Sequence, residues 1–245
     1  MSSESNTLGV GRSPEDSSES YEPDLGKIFS RALEIYRENP VMVVPSLIPI
    51  AALVLGVLIL TGLMGVAAIL GGEGVLSISI VGGMFLFLVI LIVLFLLAEG
   101  VTIEMVREAS SGRKVDLRIA WESSKGRMEP LVLSSILAGI LTALGYLLFV
   151  IPGVVLTFAL YFVAQAVMID KMSGMQALKA SYRFVEANLF DSVMVIIVSM
   201  AISILLSMIP VIGTILGLAS MPYIYGLATL IYMGRGRGRS PVVVS

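Results

Sequence analysis

Glu99 is the strongest candidate for a functional side chain, because it directly follows the uncharged run 84–98. A carboxylate inside a membrane helix is costly to bury and often serves binding or transport. Gln165 and Ser203 lie in two other apolar runs, and together the three residues could line a polar cavity. In the alternative interpretation, Glu99 reaches water at the end of its helix, and Gln165 makes one hydrogen bond between helices.

Two other features have a structural and a functional interpretation. Glu104, Arg107 and Glu108 have the spacing of a solvated helix face, and we expect them to be exposed. Pro222 lies in the middle of an apolar run, beside Ser220. Because proline removes a backbone hydrogen bond, Pro222 is a candidate kink, and such kinks sometimes mark binding sites in transporters.

The composition excludes several classes of catalytic site. The sequence contains no cysteine and no histidine. Disulfides, thiolate chemistry, Ser-His-Asp triads and histidine metal sites are therefore ruled out. Walker, HExxH, dinucleotide and EF-hand motifs are absent from the sequence as well. We expect no catalytic residue, no metal and no cofactor, and we predict that the protein is not an enzyme.

Long uncharged runs dominate the chain, whose mean hydropathy is +0.97 with 14% charged residues. The runs are 41–69, 80–98, 131–169, 192–209 and 211–233. A membrane helix needs about 20 apolar residues, so the third run is long enough for two spans. That run breaks at Ile151-Pro152-Gly153. We therefore predict an all-α membrane protein with six transmembrane helices.

Lysine and arginine are found on alternate sides of these spans. The segment before the first span, the second and fourth connections and the C-terminal tail are basic, whereas the other connections carry only Glu73. Basic segments favour the cytoplasmic side. The pattern predicts a multi-pass protein of the cell membrane, plasma or inner, with both termini in the cytoplasm.

Basic residues beside the spans are candidate contacts for anionic lipid headgroups. They are Lys27, Arg31, Lys179, Arg183, Arg235, Arg237 and Arg239. Membrane lipids are thus predicted partners, with other membrane proteins or a second copy of this chain as further candidates. The tail GRGRGRS is too small a basic surface for nucleic acid, and we predict no nucleic-acid partner.

The sequence predicts one membrane domain between two tails. Residues 1–24 are acidic and serine-rich and have too little apolar content to fold, so we expect a disordered tail. Residues 25–233 form the six-span domain. Residues 234–245 form a short basic tail on the cytoplasmic side.

Three cytoplasmic segments each have the pattern of an amphipathic helix that leads into a two-helix hairpin. Their predicted apolar faces are Phe29, Leu33 and Tyr36; then Leu117, Ala120 and Trp121; then Leu178, Tyr182 and Val185. The first helix is expected to end at Asn39-Pro40 and the second at Glu129-Pro130. These units are either duplicated copies or products of shared physics, and the sequence leaves both open.

The runs 25–40, 147–170 and 174–188 carry a resemblance to a known family. They resemble the six-helix membrane domain that some bacteria fuse to glycerophosphoryl diester phosphodiesterases, and the related stand-alone YciC-type and archaeal domains of unknown function. The resemblance implies a prokaryotic membrane module with a poorly defined role. The phosphodiesterase chemistry belongs to a separate soluble domain that this chain lacks, so the enzymatic name does not carry over.

Two functions remain after these exclusions. The first is a non-catalytic membrane module that organises lipids or partner proteins at the cytoplasmic face. The second is a transporter or lipid-handling protein with a cytoplasm-facing polar cavity near Glu99 and Gln165. A membrane-embedded enzyme ranks below both, because the available carboxylate, phenol, amine and hydroxyl groups form no persuasive catalytic pair.

Overall fold

The computed structural model describes residues 25–70, 75–209 and 212–236, and these residues are helical wherever they have regular structure. The helices are α1 (Leu25–Glu38), a short 3-10 helix (Pro40–Val43), α2 (Val44–Leu70), α3 (Val75–Ser110), α4 (Leu117–Leu148), α5 (Val150–Ala159), α6 (Val163–Met168), α7 (Met175–Ala187), α8 (Leu189–Ser207) and α9 (Ile212–Gly236). The predicted tail 1–24 lies outside the described residues.

Five helical segments are long and apolar enough to cross a membrane. They are Pro40–Val66, Ile80–Ser110, Leu117–Leu148, Val150–Met168 and Leu189–Ser207. The protein is therefore an all-helical membrane protein with five candidate spans among its described residues. The break was predicted at 151–153, but it lies two residues earlier. Only Phe149 is extended between α4 and α5.

The α4–α5 hairpin depends on two glycines that let the helices approach closely. A Cβ atom added to Gly145 would lie 3.1 Å from the Cα atom of Gly153. A Cβ atom added to Gly153 would lie 2.3 Å from the ring of Tyr146. Small residues at such contacts are typical of helix packing in membranes.

The third and fourth helices are longer than a bilayer requires. Helix α3 has 36 residues, which corresponds to about 54 Å at 1.5 Å per residue, against a hydrocarbon core of about 30 Å. Both helices are therefore long enough to extend beyond the hydrocarbon core. Their charged residues lie at the end where α3 ends at Ser110, α4 begins at Leu117 and α9 ends at Gly236. We call this the charged end.

The core of the protein lies at the charged end. There α3 is surrounded by α1, the 3-10 helix, α4, α6 and α9. Helix α6 is buried along its whole length. By contrast, α2 and the first half of α3 are mostly exposed, and their contact includes Gly56 against the ring of Phe87.

The structure corrects the predicted apolar faces. In α1 the buried residues are Ile28, Ala32 and Ile35, one residue away from the predicted face, and Leu33 is 47% exposed. In α7, Leu178 and Val185 of the predicted face are buried, but Tyr182 is 52% exposed. Ser181 and Phe184 are buried in its place. Each face is set by the neighbours that it packs against, which hydropathy alone does not identify.

The middle unit also differs from the prediction. Helix α4 continues through Pro130 from Leu117 to Leu148, so no separate short helix ends at Glu129-Pro130. The turns before the proline are held in place because Ala120 and Ser124 are fully buried. Proline is tolerated within membrane helices when neighbours support the backbone around it.

Candidate functional site

A buried ionic centre joins three helices at the charged end, and it consists of Glu104, Arg107 and Arg127. The Glu104 side chain is 1% exposed. Its Oε2 atom accepts a hydrogen bond of 3.1 Å from Nη2 of Arg127 on α4. Its Oε1 atom accepts one from Arg107, one turn further along α3. Both oxygens of the carboxylate are thus occupied by guanidinium groups, as a buried charge requires.

Arg127 connects this carboxylate to a third helix. Its Nη1 atom donates to the backbone carbonyl of Met168, the last residue of α6. Its Nη2 atom also donates to the carbonyl of Ser123, at 3.0 Å. The last carbonyls of a helix have no partner within the helix, and a cation there is favourable. Arg127 therefore holds α3, α4 and α6 together.

The structure shows that our expectation of a solvated face at 104–108 was wrong. Glu104 is buried, Arg107 is half-buried and Glu108 is 5% exposed. Oε2 of Glu108 has no hydrogen-bond partner among the described residues. The cause is that this part of α3 is packed on all sides, whereas spacing along one helix reveals nothing about its neighbours.

The fourth candidate span is interrupted, and a serine from α7 bridges the interruption. Helix α5 ends at Ala159 and α6 begins at Val163. The hydroxyl of Ser181, which is fully buried, donates to the carbonyl of Ala159 at 2.8 Å and accepts from the N–H of Phe162 at 3.1 Å. Two backbone groups freed by the interruption thereby find a partner.

Glu99 is half-buried on α3, within electrostatic range of this interruption. Its charge is close enough to Tyr161 and Tyr225 to interact electrostatically with both. The hydroxyl of Tyr161 also donates to the Oγ atom of Ser199, at 3.5 Å. We call Glu99, Tyr161, Ser199 and Tyr225 the polar set. Its carboxylate, phenols and hydroxyl could bind a cation or a hydrogen-bond donor.

The structure places the other two predicted cavity residues differently. Gln165 on α6 is 1% exposed, and its Oε1 atom has no hydrogen-bond partner among the described residues. Ser203 lies on an exposed part of α8 and donates to the carbonyl of Ser199 in its own helix, at 2.9 Å. No hydrogen bond within the described ranges joins Glu99, Gln165 and Ser203.

The candidate lipid contacts differ in their surroundings. Lys27, Arg31, Lys179 and Arg183 are exposed. Arg31 lies 2.6 Å from a carboxylate oxygen of Glu34. The Arg235 guanidinium lies 2.6 Å from Asp191, and both side chains are only 13% exposed. Arg237 and Arg239 lie outside the described residues.

Pro222 does not interrupt its helix. Helix α9 continues across Pro222, which is buried. The interruption that the structure does contain is at 160–162, a stretch without glycine or proline. Its signal in the sequence was Ser181, a polar residue on the otherwise apolar buried face of α7.

The described residues contain no group of three or more aspartates and glutamates that could hold a metal ion. The ionic centre was also missed from the sequence. Its signal was the charge at Glu104 and Glu108, which continues a span without a break, and Arg127 just before another span. Nothing in the sequence indicated that these charges would meet.

Comparisons with known proteins give one match. Residues 24–233 match the model of a family described as a Domain of unknown function (DUF7847). No curated protein and no solved structure matches the chain. The narrower resemblance to the phosphodiesterase-linked and YciC-type membrane domains is not confirmed by this match and stays a prediction.

Proposed function

We propose, from its residues, that this protein is a non-catalytic integral membrane module. It belongs to the family described as a Domain of unknown function (DUF7847). It organises lipids or partner proteins at the charged end. In this proposal α9 is a sixth span, the charged end and both termini lie on the cytoplasmic side of a cell membrane, and the source is prokaryotic. The basic connections at that end support this orientation.

The proposal rests on the hydrogen bonds that the buried charges make. Arg127 donates to Glu104 and to two backbone carbonyls, those of Ser123 and Met168. The buried charges of Glu104 and Arg127 therefore hold helices together, and their hydrogen bonds are made within the fold. Such a core suits a rigid support for the exposed surfaces of α1, α4 and α7.

Native mass spectrometry of the protein released from nanodiscs tests this function. The nanodiscs contain equal amounts of an anionic and a zwitterionic phospholipid with the same acyl chains. We expect the retained lipid to be enriched in the anionic species. Retained lipid in the proportion of the starting mixture would contradict lipid organisation. The proposal would then be reduced to the organisation of partner proteins.

The polar set favours a second candidate, a transporter or lipid-handling protein. Glu99 lies within electrostatic range of two tyrosines, and one of these, Tyr161, is in the interruption of the fourth candidate span. Interrupted helices are common at the binding sites of transporters. In the same experiment, this function predicts a discrete ligand that Glu99→Gln loses without unfolding. Identical spectra for the two proteins would contradict it.

A further inference from the structure

The position of α7 along the chain places it at the boundary of the membrane. It connects Met168, the end of one candidate span, with Leu189, the start of the next. Ser181 is bonded to Ala159 and Phe162, within the former span. Helix α7 thus packs beside a span while its chain neighbours enter and leave the bilayer. A helix held in this way lies in the interfacial layer.

The two faces of α7 differ sharply. One face is buried, with Ala177, Leu178, Ser181, Phe184 and Val185 packed into the core. The opposite face is exposed and mixes apolar and charged residues. Met175 and Tyr182 are 51% and 52% exposed. Being seven residues apart, they lie on the same edge of the helix.

Two cations accompany this apolar edge. Lys179 and Arg183 are exposed and four residues apart, so they are neighbours on the helix surface. Glu186 is exposed on the same face, which leaves one net positive charge among the three. Just beyond α7, Leu189 and Phe190 are 60% and 70% exposed, so exposed apolar surface continues into α8.

We propose that the exposed face of α7 is a binding surface for anionic phospholipid headgroups. Tyr182 and Met175 reach the boundary between headgroups and acyl chains, and Lys179 and Arg183 contact the phosphates. Tyrosine is enriched at this depth because its ring is apolar and its hydroxyl is polar. The inference rests on the proposed function, for which it names the lipid class and the surface.

The other exposed helices at the charged end also carry exposed cations. On α1 the nearest carboxylate to Arg31 is that of Glu34, at 2.6 Å. On α4, Lys125 lies 2.7 Å from Glu122. These residues of α4 precede Arg127, in the part of the helix that extends beyond the bilayer core. They therefore provide a control at the same end of the molecule.

Lipid enrichment in nanodiscs tests the surface. The variant Lys179→Gln/Arg183→Gln is compared with Arg118→Gln/Lys125→Gln, which removes two exposed cations from α4 instead. A cation near an anionic membrane contributes about fivefold to binding, so we expect the α7 variant to lose most of the anionic enrichment and the α4 variant to keep it. Equal enrichment in both variants would overturn the inference.

The same data separate the inference from the proposed function. If the wild-type protein shows no anionic enrichment, lipid organisation fails as the proposed function and the inference fails with it. If the wild-type protein and the α7 variant are equally enriched, only the inference fails.

The depth of α7 is measured independently by fluorescence. The chain has one tryptophan, Trp121, so Trp121→Phe/Tyr182→Trp places a single reporter on α7. We expect phospholipids brominated near the headgroup to quench its emission more strongly than those brominated near the chain end. Quenching by aqueous iodide, with none by brominated lipid, would overturn the interfacial position.

Discussion

The two halves of α3 lie in opposite environments, and the more apolar half is the more exposed. Val81 and Phe85 are 66% and 69% exposed, whereas Ile103 and Met105 are fully buried. The buried half also contains Glu104 and the half-buried Arg107. In a water-soluble protein the order would be reversed. Lipid tails solvate apolar side chains as well as a protein core does, so hydropathy alone does not bring membrane helices together.

The comparison assigns different causes of stability to the two halves. At the charged end, specific contacts carry it: the ionic centre and the bridge made by Ser181. In the exposed half of α3, one side packs against α2 and most other side chains are exposed apolar groups suited to lipid. Substitutions in the buried half should therefore change stability, and matched ones in the exposed half should not.

The largest effect is expected for Arg127→Met. Removing the guanidinium takes one of two partners from the buried Glu104 and leaves the carbonyl of Met168 without its donor. Breaking a buried ion pair in this way lowers the free energy of unfolding by about 3–5 kcal/mol. Titration with SDS in mixed micelles, followed by circular dichroism, measures the change.

The control for this variant is Arg118→Met, an exposed residue at the start of the same helix. We expect its free energy of unfolding to change by no more than about 0.5 kcal/mol. Equal losses in the two variants would show that Arg127 has no special role in the fold.

The pair Met105→Ala and Leu86→Ala compares the two halves of α3 directly. Met105 is fully buried, so its truncation leaves a cavity and costs about 2–5 kcal/mol. Leu86 is 60% exposed, and its truncation should change stability by about 0.5 kcal/mol at most. The same titration checks both, and a larger loss at Leu86 would reverse the comparison.

Two glycines extend the comparison to backbone packing. A Cβ atom at Gly145 would lie 3.1 Å from the Cα atom of Gly153, so Gly145→Ala should destabilise the α4–α5 hairpin by about 1–3 kcal/mol. Gly83, in the exposed half of α3, has no heavy atom within 4 Å of such a Cβ atom. Gly83→Ala should be neutral or stabilising by up to about 1 kcal/mol. If both variants lose stability equally, close packing is not what distinguishes the two sites.

The smallest expected effect is local. Ser181→Ala removes the partners of the Ala159 carbonyl and the Phe162 N–H. Hydrogen exchange of the amides at 159–163 should accelerate about tenfold, as the loss of the buried hydrogen bond from the Phe162 N–H implies. Ser203→Ala is the control, because the Ser203 hydroxyl donates to the carbonyl of Ser199 in its own helix. Unchanged exchange at 159–163 would mean that the bridge does not hold the interruption.

The sequence predicted features that depend on one helix or one turn, but not contacts between helices. The limits of α1 and the α4–α5 hairpin turn were predicted within one or two residues, because proline, glycine and the absence of charge act locally. Pro222 was a local signal for a kink, yet the interruption lies at 160–162. That interruption depends on Ser181, 19 residues away from Phe162.

The ionic centre shows the same limit. Glu104 and Arg127 are 23 residues apart along the chain. Each has an ordinary solvated interpretation in its own helix. Only the packing of α3 against α4 and α6 removes both from water and gives them each other as partners, and helix spacing does not encode that packing.

The most direct test of this account is a double-mutant cycle between Glu104→Gln and Arg127→Met, measured by unfolding in SDS. If the ionic centre holds the helices together, the double variant should lose less free energy of unfolding than the two single variants lose together. The difference should be at least about 1 kcal/mol. Losses that add within about 0.5 kcal/mol would show that the two charges act independently, and would contradict the account.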